Sequence, residues 1–304
     1  MLVKEVLEHL NATADGVYLD GTLGGGGHSE AILASQSGNL KVYGIDRDPE
    51  AIQAAGERLK HFHGFQAIHG NFHHAKQVLA SVGVLHLDGA LLDLGVSSHQ
   101  IDTPMRGFSY HQSAPLDMRM DPSQGITAAQ FLASADMKTL TRVLWDYGEE
   151  KWAARIARII VERREHSPLL TTADLTDAVD AAIPRAVRRK SDGHPARHTF
   201  QAIRIAINDE LGPLADALND ILSLIVSGGR LVVITFHSLE DRIVKRTFAK
   251  MQNPCVCSPK SPVCVCGGIP VAKMMAGGAV KPSMEEVWSN PRARSAKLRV
   301  VRRL

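Results

Sequence analysis

The sequence predicts an α/β fold: a mostly parallel sheet with helices on both faces, interrupted by an all-helical insertion between its fourth and fifth strands. Three observations carry this expectation. Short apolar runs of strand character alternate with helical stretches through the first hundred residues. After Ile101 the strand pattern disappears, and it resumes only at Leu231-Val232-Val233-Ile234. The chain has 304 residues, 44% hydrophobic and 22% charged, which supplies enough apolar material for one large domain or two ordinary ones.

Taken in order, Val17-Tyr18-Leu19 is the first strand run. It ends at Asp20 and a glycine-rich turn, with a helix expected from Ser29 to Leu33. Lys41 to Ile45 is the second run, ending at Asp46, and Pro49 then suits the first turn of a helix. Phe65 to Ile68 is the third, closing at Asn71-Phe72, and Gly89 to Leu92 the fourth, closing at Asp93. A loop with Pro104, Gly107, Pro115 and Pro122 leads into a helical stretch reaching nearly to Arg185. Within it Trp152, Ile156, Ile159 and Ile160 recur at helical spacing. Another helix, Ala196 to Asn208, stops at Gly212-Pro213, and Leu214, Leu218, Ile221, Leu222 and Ile225 mark the next. Gly228-Gly229 is expected to turn the chain into a fifth strand from Arg230 to Phe236. Ser238 and Asp241 have capping-box spacing for a helix from Leu239 to about Met251, and Lys297 to Val301 reads as a last short strand. The expected division is therefore 1–104 for the first part of the sheet domain, 105–208 for the insertion and 209–304 for the second part.

No apolar run approaches the roughly 18–20 residues of a membrane span. Met1 to Leu10 lacks the apolar core of a secretion signal, so a soluble cytoplasmic protein is expected. The net charge of +3 names no partner, but the basic residues are clustered. Arg185, Arg188, Arg189, Lys190 and Arg197 face a lone Asp192, and Arg292, Arg294, Lys297, Arg299, Arg302 and Arg303 end the chain without an acid. Such clusters either neutralise the phosphates of a nucleic acid or serve as solvated faces.

The segment Asp20-Gly21-Thr22-Leu23-Gly24-Gly25-Gly26-Gly27-His28 follows a strand and precedes a helix. Glycines there let the backbone approach a ligand, and a helix N-terminus offers N–H groups. Asp46 lies 20 residues beyond Gly26 at the end of the next strand, where a carboxylate can accept both ribose hydroxyls. Together they indicate an adenosine-containing cofactor; the bland alternative is a tight turn plus an aspartate capping a helix. A triphosphate loop is excluded because no Lys-Ser/Thr follows the glycines. A nicotinamide dinucleotide uses the glycines and Asp46 but leaves Asp20, Asn71-Phe72 and Asp93 idle. S-adenosylmethionine would use all of them.

Several blocks then carry a family resemblance: Asp20 to Ser29, Ile45-Asp-Arg-Asp-Pro49, Leu91 to Ser98, Arg106-Gly-Phe-Ser109, Pro115 to Pro122, Phe236 to Arg242 and Asn290 to Ser295. Over nearly its whole length the chain resembles the bacterial 16S ribosomal RNA (cytosine N4)-methyltransferase family. The resemblance implies a class I (Rossmann-like) S-adenosylmethionine-dependent methyltransferase sheet carrying a helical substrate-recognition insertion. It also implies methylation of a cytidine amine in the decoding region of 16S rRNA, with the small ribosomal subunit as partner. By the family pattern Gly26, Gly27, His28, Asp46, Phe72, Asp93 and Gln100 touch the donor, and Asp20 and Gly24 complete the expected set. Family members carry a short His-containing lead-in before the stretch that here is Met1-Leu2-Val3-Lys4-Glu5-Val6. The start codon is then upstream, or the site closes less tightly.

Asp93 and His237 are the candidate catalytic residues. Asp93, or carbonyls of its turn, can accept the target amine's hydrogens, and His237 can orient the base or take its proton. For each there is a plainer reading, a donor-facing carboxylate and a helix-start histidine. Phe108, Tyr110 and Phe236 are candidates for a wall against the base. The basic residues Arg185, Arg188, Arg189, Lys190, Arg197, Arg292 and Arg294 are the expected RNA contacts. Cys255-Val-Cys257 and Cys264-Val-Cys266 hold all four cysteines and suggest a zinc site of unusual spacing; a redox-labile loop or a disulfide are the alternatives. Other readings stay open: a methyltransferase for another RNA or DNA amine, or a non-catalytic RNA-binding assembly factor.

Overall fold

A computed structural model describes residues 1–189, 193–258, 263, 265–275 and 277–304. Lys190 and Cys264 lie outside the described residues. The chain divides into two compact units, Met1–Gly95 with Leu211–Leu304, and Val96–Glu210. The first boundary precedes the one expected at Pro104, because the capped helix Ser98–Asp102 groups with the insertion.

The sheet unit begins with α1 (Val3–Leu10), β1 (Val17–Asp20), α2 (Gly27–Ala34), β2 (Lys41–Asp46) and α3 (Pro49–Leu59). It continues through β3 (Phe65–His69), α4 (Ala75–Ser81) and β4 (Leu87–Asp93). The insertion contributes α5 (Ser98–Asp102), α6 (Ala128–Ser134), α7 (Met137–Gly148) and α8 (Ala153–Arg164). Its remaining helices are α9 (Thr172–Ala182), α10 (Arg185–Arg188) and α11 (Arg197–Asn208). The sheet unit resumes with α12 (Leu214–Leu224), β5 (Ile225–Thr235), α13 (Ser238–Gln252), β6 (Ala272–Met274), α14 (Met284–Ser289) and β7 (Lys297–Arg303).

The seven strands lie in the order β3-β2-β1-β4-β5-β7-β6. The first five pair in parallel, β7 runs against β5, and β6 runs against β7. This matches the Rossmann-like sheet that the resemblance implies, with its strand order reversing between β1 and β4. Ligands of open α/β sheets bind at such a switch point, outside the carboxyl ends of the strands.

The central strands read as continuous apolar runs because both faces are covered. Leu92, Leu231 and Val233 join one buried cluster, while Leu91, Val232 and Ile234 join another, as the two-residue alternation of a strand requires. The insertion has its own core, in which Leu140, Leu144, Ile156, Ile160, Leu175, Phe200 and Ile203 are buried. Two sequence blocks interlock there. Met118 N–H donates to Arg106 O at 3.0 Å, and the Arg106 guanidinium donates to the Arg119 and Met120 carbonyls. Gly107 sits at φ +72°, and a Cβ on it would come within 2.5 Å of Pro115 O.

Three expectations need correction. Ile225 opens β5 instead of closing the preceding helix, and Gly228-Gly229 lies within that strand as a bulge. There Leu87 pairs with Ile225 and Gly89 with Arg230, so four residues of β5 face one of β4. Gly228 takes the left-handed φ of +88°, and a Cβ on Gly229 would meet Asp88 O at 2.4 Å. The capping box of α13 is formed by His237 and Glu240, one residue before the expected pair. Asp241 instead accepts from Arg299 Nε at 2.6 Å and Lys297 Nζ at 3.1 Å, tying α13 to β7. Beyond these, α1, α14 and β6 are elements the sequence did not lead one to expect, and β6 is only three residues paired at an edge.

Burial works to raise the Asp241 carboxyl, but the hydrogen bonds from Arg299 and Lys297 outweigh it and hold it below the usual aspartate range. Asp241→Ala leaves the largely buried Arg299 guanidinium without its partner, whereas the more exposed Lys297 is screened by solvent. The expected loss is about 2 kcal/mol in urea denaturation. The native contribution is present above the unfolded aspartate value of 3.8 and is lost as pH falls through the depressed folded value. The gap between wild type and variant should therefore close in acid.

Candidate functional site

Asp20, Asp46 and Asp93 end β1, β2 and β4, three neighbouring strands of the sheet. Register sets their depth: Asp20 pairs with Gly44 and Leu91, so Asp46 and Asp93 stand two residues farther along their strands. The turn after Asp20 is fastened to both sides. Gly21 N–H donates to Leu91 O at 2.9 Å and Leu23 N–H to Ile45 O at 3.0 Å. Gly26 takes φ +76° just ahead of α2, and a Cβ there would press on Leu59 and Ala55. Beside Gly25 and Gly27 the space is open for 4 Å, leaving room for a ligand against the backbone.

Asp20 is buried, accepting from Ser29 Oγ at 2.8 Å and from Thr22 N–H at 3.3 Å. Burial raises its carboxyl above the usual range, against the pull of His28 and these hydrogen bonds. Asp46 accepts from Gly24 N–H at 2.7 Å and Asp48 N–H at 2.9 Å, and burial raises it too. The alternative in which Asp46 caps the next helix does not hold, because Asp48 is that cap, accepting from Glu50 N–H.

Asp93 donates its N–H to Thr22 Oγ1 at 2.6 Å, and its Oδ2 lies 3.3 Å from His28 Nε2 on the first turn of α2. Its other oxygen, Oδ1, is buried with no hydrogen-bond partner among the described residues, as is His28 Nδ1. Two orphaned polar atoms beside a glycine cradle are what a polar ligand would satisfy. The donor set suits a ligand with an ammonium and a ribose: three carboxylates around an open glycine turn, whose Gly25 carbonyl accepts from Arg58 at 3.3 Å. Phe72 lies three residues past β3, opening a short 3-10 turn, half-buried against the core with Leu92 and Leu94 in the same cluster. Sequence reasoning missed Thr22 and Ser29, whose hydroxyls hold the carboxylates' surroundings. It also missed His73, next to Phe72, whose imidazole is lowered to about 4 by burial and by Arg47 and His74. A hydroxyl within a glycine turn has no periodic signature; only its spacing from Asp20 could have singled it out.

Gln100 belongs to the insertion, where it forms the capping box of α5 with Ser97. His237 is the N-cap of α13. Its Nδ1 accepts from Glu240 N–H at 3.4 Å, and Nε2 lies 3.0 Å from Glu240 Oε1 without hydrogen-bond alignment. Both ring nitrogens thus face Glu240, and taking a proton from a substrate would require His237 to leave this cap. Of the base-wall candidates, Phe236 lies in the sheet unit and packs against the cluster of Ile234 and Leu298. Phe108 and Tyr110 pack on the core of the insertion, and Tyr110 stacks on His194 with ring centroids 4.6 Å apart.

Arg185, Arg189, Arg197, Arg292 and Arg294 are exposed, whereas Arg188 is 2.5 Å from Asp180 and half-buried. Lys297 and Arg299 are held by Asp241, and β7 contains the rest of the basic tail. Among the described residues, no helix is long and apolar enough to cross a membrane.

The curated relatives extend over this whole arrangement. "Ribosomal RNA small subunit methyltransferase H" of Heliobacterium modesticaldum is 51% identical, over 100% of this chain and 97% of the relative. The proteins of that name from Symbiobacterium thermophilum and Halothermothrix orenii are 49% and 47% identical, each over 100% of this chain and 96% and 97% of their own lengths. A family model described as the MraW methylase family matches residues 1–304. With identity near one half sustained from end to end, the chain belongs to the MraW methylase family.

Proposed function

We propose that this chain transfers a methyl group from S-adenosylmethionine to the N4 amine of a cytidine in the decoding region of 16S rRNA, within the small ribosomal subunit. The observation that carries the reading is the placement of Asp20, Asp46 and Asp93 around an open glycine turn at the switch point, in a chain whose relatives are named rRNA methyltransferases. When bound, S-adenosylmethionine supplies an electrophilic methyl on a sulfonium. Asp20 would face its ammonium, the Gly24 to Gly27 backbone would pass beside its amino-acid part, Asp46 would accept from the ribose hydroxyls, and Phe72 would border the adenine.

Cytosine's exocyclic nitrogen is a weak nucleophile because its lone pair is delocalised into the ring. An acceptor aimed at its hydrogens favours pyramidalisation and offsets the positive charge that develops during attack. Asp93 Oδ1, buried and without a partner among the described residues, is that acceptor, and His28 holds the other oxygen. The target nucleotide must leave its stack to reach such a group. The exposed arginines, Arg185, Arg189 and Arg197 on the insertion and Arg292 and Arg294 on the sheet unit, are the candidate phosphate contacts.

The deciding experiment is methylation of small subunits from a strain lacking the gene, with mass spectrometry of the labelled nucleotide. N4-methylcytidine at one decoding-region position is expected; a methyl group elsewhere, or none in the presence of bound donor, overturns the reading. Arg292→Glu with Arg294→Glu should weaken rRNA binding and flatten its salt dependence by roughly one to two phosphate contacts. An unchanged salt slope would remove these arginines from the interface.

Donor binding should also depend on pH. It requires ionised Asp20 and Asp46, and burial raises both above the ordinary 3.8. Affinity should be greatest above these raised values and fall as the solution is acidified through them, with protons released on binding in that window. Calorimetry in buffers of different ionisation enthalpy checks this. Without donor the sign for folding is opposite: the stability linked to these groups is present below 3.8 and is lost as pH rises through the folded values.

A further inference from the structure

Residues 253–271 join α13 to β6, and among the described residues of this loop there is no helix or strand. Its base is closed: Val271 N–H donates to Met251 O at 2.9 Å, and Met274 N–H donates to Gln252 Oε1 at 2.8 Å. Its two arms return on each other, since a Cβ on Gly268 would lie 3.1 Å from Pro254. Just inside the closure, Cys255 N–H donates to Asn253 Oδ1 at 3.3 Å, a turn that bends the first arm. The sulfurs of Cys255, Cys257 and Cys266 then all lie within 4.8 Å of one another.

Burial in this loop runs against hydrophobicity. Val256 and Val265 are 86% and 87% exposed, and Val263 and Ile269 are 70% and 78% exposed. The neighbouring Cys257 and Cys266 are half-buried and turned toward Cys255. An apolar core therefore does not hold the arms together, although each ordered backbone residue costs about 1–2 kcal/mol of conformational entropy. A shared ligand for the thiols would. In a tetrahedral thiolate site, metal–sulfur bonds of about 2.3 Å put the sulfurs about 3.8 Å apart, within about an ångström of the present arrangement.

We propose that Cys255, Cys257 and Cys266 form a structural zinc site that closes this loop. The three bind as thiolates, each releasing its proton to solvent as the metal enters, with no change of oxidation state. An all-sulfur donor set selects soft or borderline cations, and zinc is the one that needs no redox partner. The site is structural because the loop leads into the edge strand β6, whereas the three carboxylates end β1, β2 and β4.

The test is metal analysis of the full-length chain, expressed with added zinc and purified without chelator, beside Cys255→Ser, Cys257→Ser, Cys266→Ser and the triple variant. About one zinc per chain is expected in the wild type, with a loss of about tenfold or more in the triple variant. Titration of the wild type with a mercurial should release the zinc as the thiols are consumed, a readout that does not depend on any variant folding. Cobalt in place of zinc should give sulfur-to-cobalt charge-transfer absorption that the triple variant lacks. A metal-free wild type after zinc loading overturns the proposal. So do equal zinc in the triple variant, iron or copper in place of zinc, or thiols found oxidised to a disulfide.

Discussion

Asp93→Asn is expected to lower single-turnover methylation about 10²- to 10³-fold at saturating donor, the range seen when one pre-aligned electrostatic partner of a transition state is lost. The substitution keeps the side chain's shape and its backbone N–H contact with Thr22. It removes the carboxylate that the proposed function places beside the reacting amine, and it offers an amide group that can present its own hydrogens there. His28 loses its ionised partner in the same step. The measurement is the rate with small subunits from the deletion strain, together with the donor's Kd. A rate unchanged at saturation, with only the donor's Kd raised, would make Asp93 a donor-holding carboxylate and would end its catalytic assignment. His237→Ala in the same assay should lower stability through the lost cap of α13, by about 1 kcal/mol, and leave the saturated rate near that of the wild type.

Asp46→Ala is expected to weaken donor binding about 10²-fold, as two charge-assisted hydrogen bonds at about 1.5 kcal/mol each would require. The effect has two sources. The ribose loses its acceptor, and the Gly24 N–H, now bonded to Asp46 at 2.7 Å, loses the contact that fixes the glycine turn. Asp46→Asn separates them, since the amide oxygen can still accept from Gly24 while offering the ribose less. Calorimetric titration with S-adenosylmethionine should rank wild type, Asn and Ala in falling affinity. Equal affinities for all three would place the ribose elsewhere.

Much of the site was legible because strand ends and turns leave local marks. Asp20, Asp46 and Asp93 each close an apolar run, and the glycines between Asp20 and His28 have few other uses. Gln100 and His237 show the limit of that method. Both belong to the pattern the resemblance implies, yet each is also an ordinary capping residue, and a local pattern does not say which role a polar side chain has taken. Similarly, Lys297 and Arg299 read as part of a basic tail until Asp241, more than fifty residues away in sequence, is seen to hold both. Ionic partners distant in sequence are set by packing, and no window of residues records them.

The sequence by itself determined the alternating elements, the helical insertion and the carboxylates of the crevice, because periodicity, turn residues and strand-end position are properties of neighbouring residues. Tertiary structure decided the pairing of His28 with Asp93, the bulge at Gly228, the salt bridges of Asp241 and the convergence of Cys255, Cys257 and Cys266. The first three join groups whose separation depends on how strands and helices pack, and the last depends on a loop folding back on itself. Their energies arise only once the intervening chain has folded.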